Sequence, residues 1–368
     1  MPFDQGNITF RVCRLPEHVP QDLPARLAVA AARPLEEVVD EPQWGWVTAR
    51  HLLDINITEE SIRFGGYYHF CLRQAERRIP ASLLNATCKM EEYARLAETG
   101  ADRISKKERK AIKEEAREHL LPQMPVQFGG TYAVIDLAES LLYTSAVSER
   151  PLEIFIEMFK KASGVEPIPL TPEYAAAELF GVDPSAVSCP CISPTIENQD
   201  PELAGTLGQN FLTWLWFYQE ARGGMLPQSR LGEFAMMIDG PLSLVSQGAG
   251  AFESVIRKGV PTISAEAKAA LTVGKKLKSA KFILARDQNQ EWSCTLDADH
   301  FAFRGLKLPE GEAMDPISVF EERMNCLNIF YNVFFGLFEK YLREMTDPAK
   351  TAAYQEKAKA WVANREER

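Results

Sequence analysis

No stretch of the chain approaches the uninterrupted apolar run that a membrane helix needs. The opening residues, Met1-Pro2-Phe3-Asp4, lack the basic start and apolar stretch of a secretion signal, so a cytoplasmic protein is expected. Histidine is scarce. The five, at 18, 51, 69, 119 and 300, stand far apart, and none forms an H-x-x-x-H pair that could grip a metal. The seven cysteines are odd in number and scattered mostly through apolar runs, which reads as reduced, buried thiols and not as a disulfide framework. Cys189-Pro190-Cys191 is a close pair, but no further Cys or His stands at zinc-ligand spacing from it. Gly248-Ala249-Gly250 lacks the lysine of a phosphate loop, which argues against nucleotide binding. Asp136, at the end of a predicted strand, has no nearby Glu-x-Lys run to complete a two-metal nuclease centre, and reads as a turn residue. No catalytic constellation, cofactor or metal is expected. Positive charge is also short overall: 41 Lys and Arg stand against 51 Asp and Glu, a net charge of -10.

What is present describes a globular protein. The 368 residues suffice for one large or two ordinary cores, and the fractions, 46% hydrophobic and 25% charged, are ordinary. Ile8 to Arg14 alternates like a half-buried strand, a helix through roughly 22–33 follows, and Trp44-Gly45-Trp46-Val47 is a compact aromatic element. Residues 61–73 form a strand pair around Gly65-Gly66, and 132–136 with 141–144 form another. Between them lies a helical hairpin over 81–121. Its first helix stops near Gly100, and its second opens with Ser105-Lys106-Lys107-Glu108, a capping box. A helix over 151–162 and a linker from Pro167 to Pro172 come next, then a long surface loop or insertion over 183–208. Phe211 to Tyr218 is core. Ser264 caps a helix running to about Lys278, residues 281–284 and 292–308 read as a meander, and 319–342 is an apolar helix. The tail 347–368 is charged, helical and weakly packed. The fold class is α+β (mixed α/β), with antiparallel sheets and a helical hairpin. The organisation reads as 1–170, a linker or insertion over 171–210, a second α/β region over 211–346, and the tail.

Charge collects in two places. From Ser254 to Lys281, seven cations (Arg257, Lys258, Lys268, Lys275, Lys276, Lys278 and Lys281) face one acid, Glu266. The second cluster, from Arg103 to Arg117, includes Lys107 and Lys110, but Asp102, Glu108, Glu114, Glu115 and Glu118 dilute it. Basic runs are more often solvated faces than sites. An anionic duplex nevertheless responds to local potential, and a cleft lined by one sign can bind it while the outer surface carries the other.

Short motifs between Arg73 and Leu170 resemble the RdgC family of recombination-associated bacterial proteins: Ile79-Pro80, Lys106 to Lys110, Leu120-Leu121-Pro122, Val134-Ile135-Asp136 and Val165 to Leu170. Gly45-Trp46-Val47 upstream, Leu212-Thr213-Trp214, and Val255 to Lys258 through Gly274-Lys275 extend the likeness. The resemblance implies a crescent protomer that closes into a ring-shaped homodimer around duplex DNA. It implies binding without sequence preference, single strands being a further ligand, antagonism of RecA, association with the nucleoid, and no membrane. It places lysines at Lys258 and Lys275, and with Arg257, Lys276, Lys278, Lys107 and Lys110 these form the expected DNA-binding set. The sequence departs from the family at Gln123, Met124, Pro125, Val126 and Gln127, where arginines and a phenylalanine are usual. The family has also carried an exonuclease label. The rival readings are therefore a metal-dependent exonuclease built around Asp136 and an acidic protein-interaction module.

Overall fold

The alternating segment at the N-terminus forms β1 (Ile8–Arg14), the strand on which the architecture turns. The computed structural model describes residues 3–39, 41–196, 204–246, 252–287 and 290–365. After β1, α1 (Leu23–Val29) is shorter than its sequence pattern because the following backbone is captured elsewhere. The Trp46 amide donates to the Ala30 carbonyl (3.0 Å), and the Ala32 amide donates to the Trp46 carbonyl (2.9 Å). The aromatic element is thus a strand, β2 (Gln43–Thr48). Gly45 is required there, since a Cβ would stand 2.3 Å from the Ala32 Cα.

A four-residue helix, α2 (Glu59–Ile62), leads into β3 (Arg63–Phe64) and β4 (Tyr67–Arg77), which turn through Gly65-Gly66 as expected. The hairpin follows: α3 (Ala81–Thr99), stopped by Gly100 at φ +65, and α4 (Lys106–Leu120). The capping box is formed, with the Glu108 amide donating to Ser105 Oγ (3.2 Å) and the Ser105 amide to Glu108 Oε2 (2.8 Å). Next come β5 (Val126–Asp136), β6 (Leu141–Thr144), α5 (Glu149–Ser163), β7 (Ile168–Pro169) and α6 (Pro172–Phe180). The stretch read as a linker therefore contains a strand paired with β1, and a helix begins at Pro172, where proline's fixed φ suits the first turn.

The remaining elements are α7 (Leu207–Ala221), β8 (Phe234–Val245), β9 (Glu253–Ile256), α8 (Ala265–Thr272), β10 (Lys276–Arg286), β11 (Gln290–Asp297), β12 (Ala302–Lys307), α9 (Pro316–Met345) and α10 (Pro348–Ala363). Ser264 caps α8 as expected, but the helix ends at Thr272 and Gly274, at φ +84, redirects the chain into a strand. Lys276 and Lys278 accordingly lie on β10 and not on a helix.

The named strands form one antiparallel sheet in the order β2-β4-β5-β6-β1-β12-β11-β10-β8-β9, with β3 added on β4 and β7 on β1. β1 joins its two halves: Ile8 and Phe10 pair with β12, whereas Arg11 to Arg14 pair with β6. The larger core lies where α7 and α9 cover the second half. Phe211 meets Phe338 at 4.9 Å and Phe334 at 5.6 Å, edge to face. The smaller core groups Trp46, Phe70, Phe155 and Phe159. Each such ring, fully buried, contributes roughly 1.5–3 kcal/mol by burial.

Two expectations about irregular chain are corrected. Within 183–208, Cys191, Ile192 and Ser193 are buried, and Ser193 Oγ donates to the Thr272 carbonyl, so this part packs over the second core; residues 197–203 lie outside the described residues. The tail is not weakly packed. Tyr354, Ala358 and Val362 are buried, and the Arg365 guanidinium lies between Trp216 (4.4 Å) and Trp361 (4.5 Å) while pairing with Glu220 (2.9 Å).

Candidate nucleic-acid interface

At one edge of the sheet, β9 ends in an exposed turn carrying Arg257 and Lys258. Lys258 sits at φ +68 and Gly259 at φ +67, which folds the chain back toward Pro261 and α8. A cleft runs along this turn, lined by Ser254, Arg257, Lys258, Gly259, Ser264 and Glu266. Among the described residues neither Arg257 nor Lys258 has an ion-pair partner. Both point charges are therefore available to an anion from solvent.

The neighbouring lysines are placed differently. Lys275 is buried, and its Nζ donates to Ser254 Oγ (2.7 Å), tying the start of β10 to β9. Lys276 is 2% exposed and its Nζ donates to the Pro190 carbonyl (2.9 Å), inside the loop that packs over the core. Burial pushes the Lys276 ammonium down to about 8, the nearby Cys191 and Cys189 acting in the opposite direction. Lys278 is 38% exposed and stands 4.0 Å from Asp299. Of the expected binding set on this segment, Arg257, Lys258 and, in part, Lys278 are exposed. Sequence pattern could not separate these, because it does not show that the 187–193 stretch folds over the first residues of β10.

The hairpin sorts its mixed charges by face. Lys106, Lys110, Lys113 and Arg117 are spaced i, i+4, i+7 and i+11, so they share one face of α4, within about 60° of arc and ~16 Å of axis. All four are exposed. Glu115 lies away from this stripe, and pairs with Arg95 of α3. Glu108 is engaged at the cap. Lys107 stands about a quarter-turn round from the stripe, on the side of Glu114 and Glu118. The stripe was hidden in the sequence by a window average that counted acids from every face.

The catalytic candidates are structural. Asp136 is buried, and its Oδ1 accepts from the Ala138 (2.9 Å) and Glu139 (3.1 Å) amides, while Oδ2 accepts from Asn328 (3.3 Å). It closes the β5–β6 turn. His69 is buried among rings, stacked on Phe320 at 5.1 Å, and burial pushes its imidazole down to about 3, so it stays neutral. Among the described residues no group of three or more His, Cys, Asp and Glu could hold a metal, no disulfide joins the cysteines, and no helix is long and apolar enough to cross a membrane. At the departures from the expected family pattern, Gln123 donates to the His119 carbonyl (3.1 Å), and the Met124 carbonyl accepts from Arg77.

Residues 7–180, from β1 through α6, match the family model described as "Putative exonuclease, RdgC". Over these residues the chain is similar to the RdgC family. The Recombination-associated protein RdgC of Pseudoalteromonas atlantica is 31% identical over 116 residues, 31% of this chain and 38% of that protein. That of Sodalis glossinidius is 30% identical over 109 residues, 29% of this chain and 35% of that protein. That of Psychromonas ingrahamii is 33% identical over 98 residues, 27% of this chain and 32% of that protein. The chain thus matches about a third of the length of these curated RdgC relatives. The RdgC match takes in the hairpin and its basic stripe, whereas Arg257 to Lys278 lies beyond it.

Proposed function

We propose that this chain binds duplex DNA without sequence preference, as a homodimeric ring in the recombination setting named by its relatives, where it opposes RecA. The observation that carries the reading is the placement of charge. A chain of net charge -10 leaves Arg257 and Lys258 unpaired among the described residues on one turn and aligns four cations on one face of α4. Phosphates are neutralised by such point charges without any reading of bases. An anionic remainder keeps the outside soluble and repels the duplex elsewhere. Lys275 and Lys276 enter this reading as the internal ties that hold the Arg257–Lys258 turn on the sheet edge.

The test is binding to two unrelated duplexes across a salt series. Each phosphate contact contributes a slope of about -0.9 in log affinity against log salt. Equal affinities for both duplexes and a steep slope support the proposal. A flat titration would favour the acidic interaction module instead.

The family description names an exonuclease, which gives the rival its own experiment. Linear DNA is incubated with Mg²⁺ or Mn²⁺ and either wild type or Asp136→Asn. The proposal expects no cleavage by either protein. Degradation that Asp136→Asn abolishes would move the function to the enzyme class.

A further inference from the structure

α9 carries a glycine that its own chain does not explain. Gly336 stands in the helix interior, where glycine is less stable than alanine. Gly208 of α7 is the contrast: a Cβ there would stand 1.9 Å from the Ala298 carbonyl oxygen, so close packing requires its absence. A Cβ at Gly336 would meet no described atom within 4 Å. The bare backbone opens instead onto a cavity of about 280 Å³ between α9 and the loop that precedes β8. Leu226, Leu231, Phe234, Val333 and Leu337 make its wall apolar. Asn332 and Lys340 also line it, and between them the helix rises ~12 Å. The two ends differ. Toward Asn332 lies Arg286, already engaged: its Nη1 donates to the Leu231 carbonyl (3.1 Å) and its Nε to Gln290 Oε1 (2.6 Å). Toward Lys340 the cations are exposed in part or whole. Lys340 and Arg222 stand 5.6 and 5.4 Å from the centre of the Tyr218 ring. The acid beside them is Glu344, whose Oε1 pairs with Lys340 (2.8 Å) and whose Oε2 accepts from Trp214 Nε1 (3.2 Å). Two cations against one carboxylate leave this end positive.

We propose that this cavity binds a small amphiphilic acid, an unbranched aliphatic carboxylate that lies along α9 with its chain against Gly336 and its head at Lys340. Three features select that chemistry. The apolar wall favours a hydrocarbon chain, at about fourfold in affinity for each CH₂ buried. The missing Cβ lets the chain approach the helix backbone closely. The positive end favours an ionised head over a neutral one, because a charge-assisted hydrogen bond is the stronger kind. The volume lies just under the ~300–1,000 Å³ of sites for drug-sized ligands, so the ligand is a small one. The site is separate from the Arg257–Lys258 turn and from α4, and the inference does not depend on duplex binding.

Calorimetric titration of the full chain with octanoate tests this. The expected result is one molecule per chain, with 1-octanol, which has the same chain and no charge, at least about tenfold weaker. Lys340→Met should weaken octanoate by about tenfold and leave 1-octanol unchanged. Gly336→Leu, which sets a side chain in the cavity, should abolish binding of both. Gly336→Ala separates a ligand site from a packing role. Without ligand it should raise the melting temperature by about 2 °C, since alanine suits the helix and meets nothing in the chain. A melting temperature lowered by Gly336→Ala would show that the glycine serves internal packing, and would overturn the inference. So would a wild type that does not bind octanoate. Binding that Gly336→Leu leaves intact, or that runs to many molecules per chain, is adsorption to apolar surface and overturns it equally.

Discussion

The two basic regions of this protein make opposite use of their lysines. The segment from Ser254 to Lys281 is the more positive in sequence, yet Lys275 and Lys276 are turned inward onto Ser254 and the Pro190 carbonyl. The hairpin is nearly neutral in sequence, yet α4 collects Lys106, Lys110, Lys113 and Arg117 on one exposed face. Charge counted along a chain is thus a poor measure of charge presented to a ligand. A helix disperses or gathers residues by its 3.6-residue period, and a strand in a covered sheet can bury a lysine whose only signal is its neighbours. Of the two regions, the hairpin falls inside the family match and the turn at Arg257 does not.

The largest effect should come from the turn. Arg257→Ala/Lys258→Ala should make the salt slope of duplex binding shallower by about two units, or about four per dimer if both copies engage, equally for unrelated sequences. An unchanged slope would remove this edge of the sheet from the interface.

The buried member of the same segment should respond to pH instead. Burial holds Lys276 near 8 against an ordinary 10.5, so the unfolded chain binds its proton more tightly than the folded one. Stability therefore rises as pH climbs from about 8 to 10.5, and falls as pH drops through the folded value. The shift corresponds to about 3 kcal/mol at most. Urea melts at pH 7.5 and 10 should show that rise in wild type and not in Lys276→Met. That substitution also strips the Pro190 carbonyl of its donor, which offsets the gain by about 1 kcal/mol. A rise of the same size in Lys276→Met would assign the pH dependence to another group.

Within the hairpin the contrast is finer. Lys110→Ala should reduce the slope by about one unit. Lys107→Ala should do less, because Glu114 and Glu118 share its side of the helix and exposed charge is screened within roughly 8 Å at physiological salt. If Lys107→Ala proved the more damaging, the duplex would lie on the acidic flank of α4 and the stripe would be incidental.

Local patterns carried much of the architecture. Ser105 and Glu108 announce the start of α4, Gly100 the end of α3, and the Gly65-Gly66 and 137–140 turns separate strands that pair as expected. These features depend on residues within one turn or one hairpin, so their causes lie in contiguous sequence. The tail was misjudged for the opposite reason. Its charges describe one face of α10, whereas Tyr354, Ala358 and Val362, together with Arg365 between two tryptophans, describe the other, and partners such as Trp216 and Glu220 lie more than a hundred residues upstream. α8 ended early because Gly274 and a strand partner at Val245 outweighed the helical propensity of the lysines that follow.

What the sequence by itself determined is chemical and short-range: the helix caps, the turn glycines, the alternation of β1, the hairpin that places two helices side by side, and the family likeness of residues 7–180. Only the tertiary structure decided which cations meet solvent. That choice depends on β1 joining two halves of a sheet, on a loop near residue 190 folding across β10, and on α3 standing away from both cores. Each of these is a contact between distant segments, and the free energy of such contacts comes from burial and internal hydrogen bonding that no local pattern specifies.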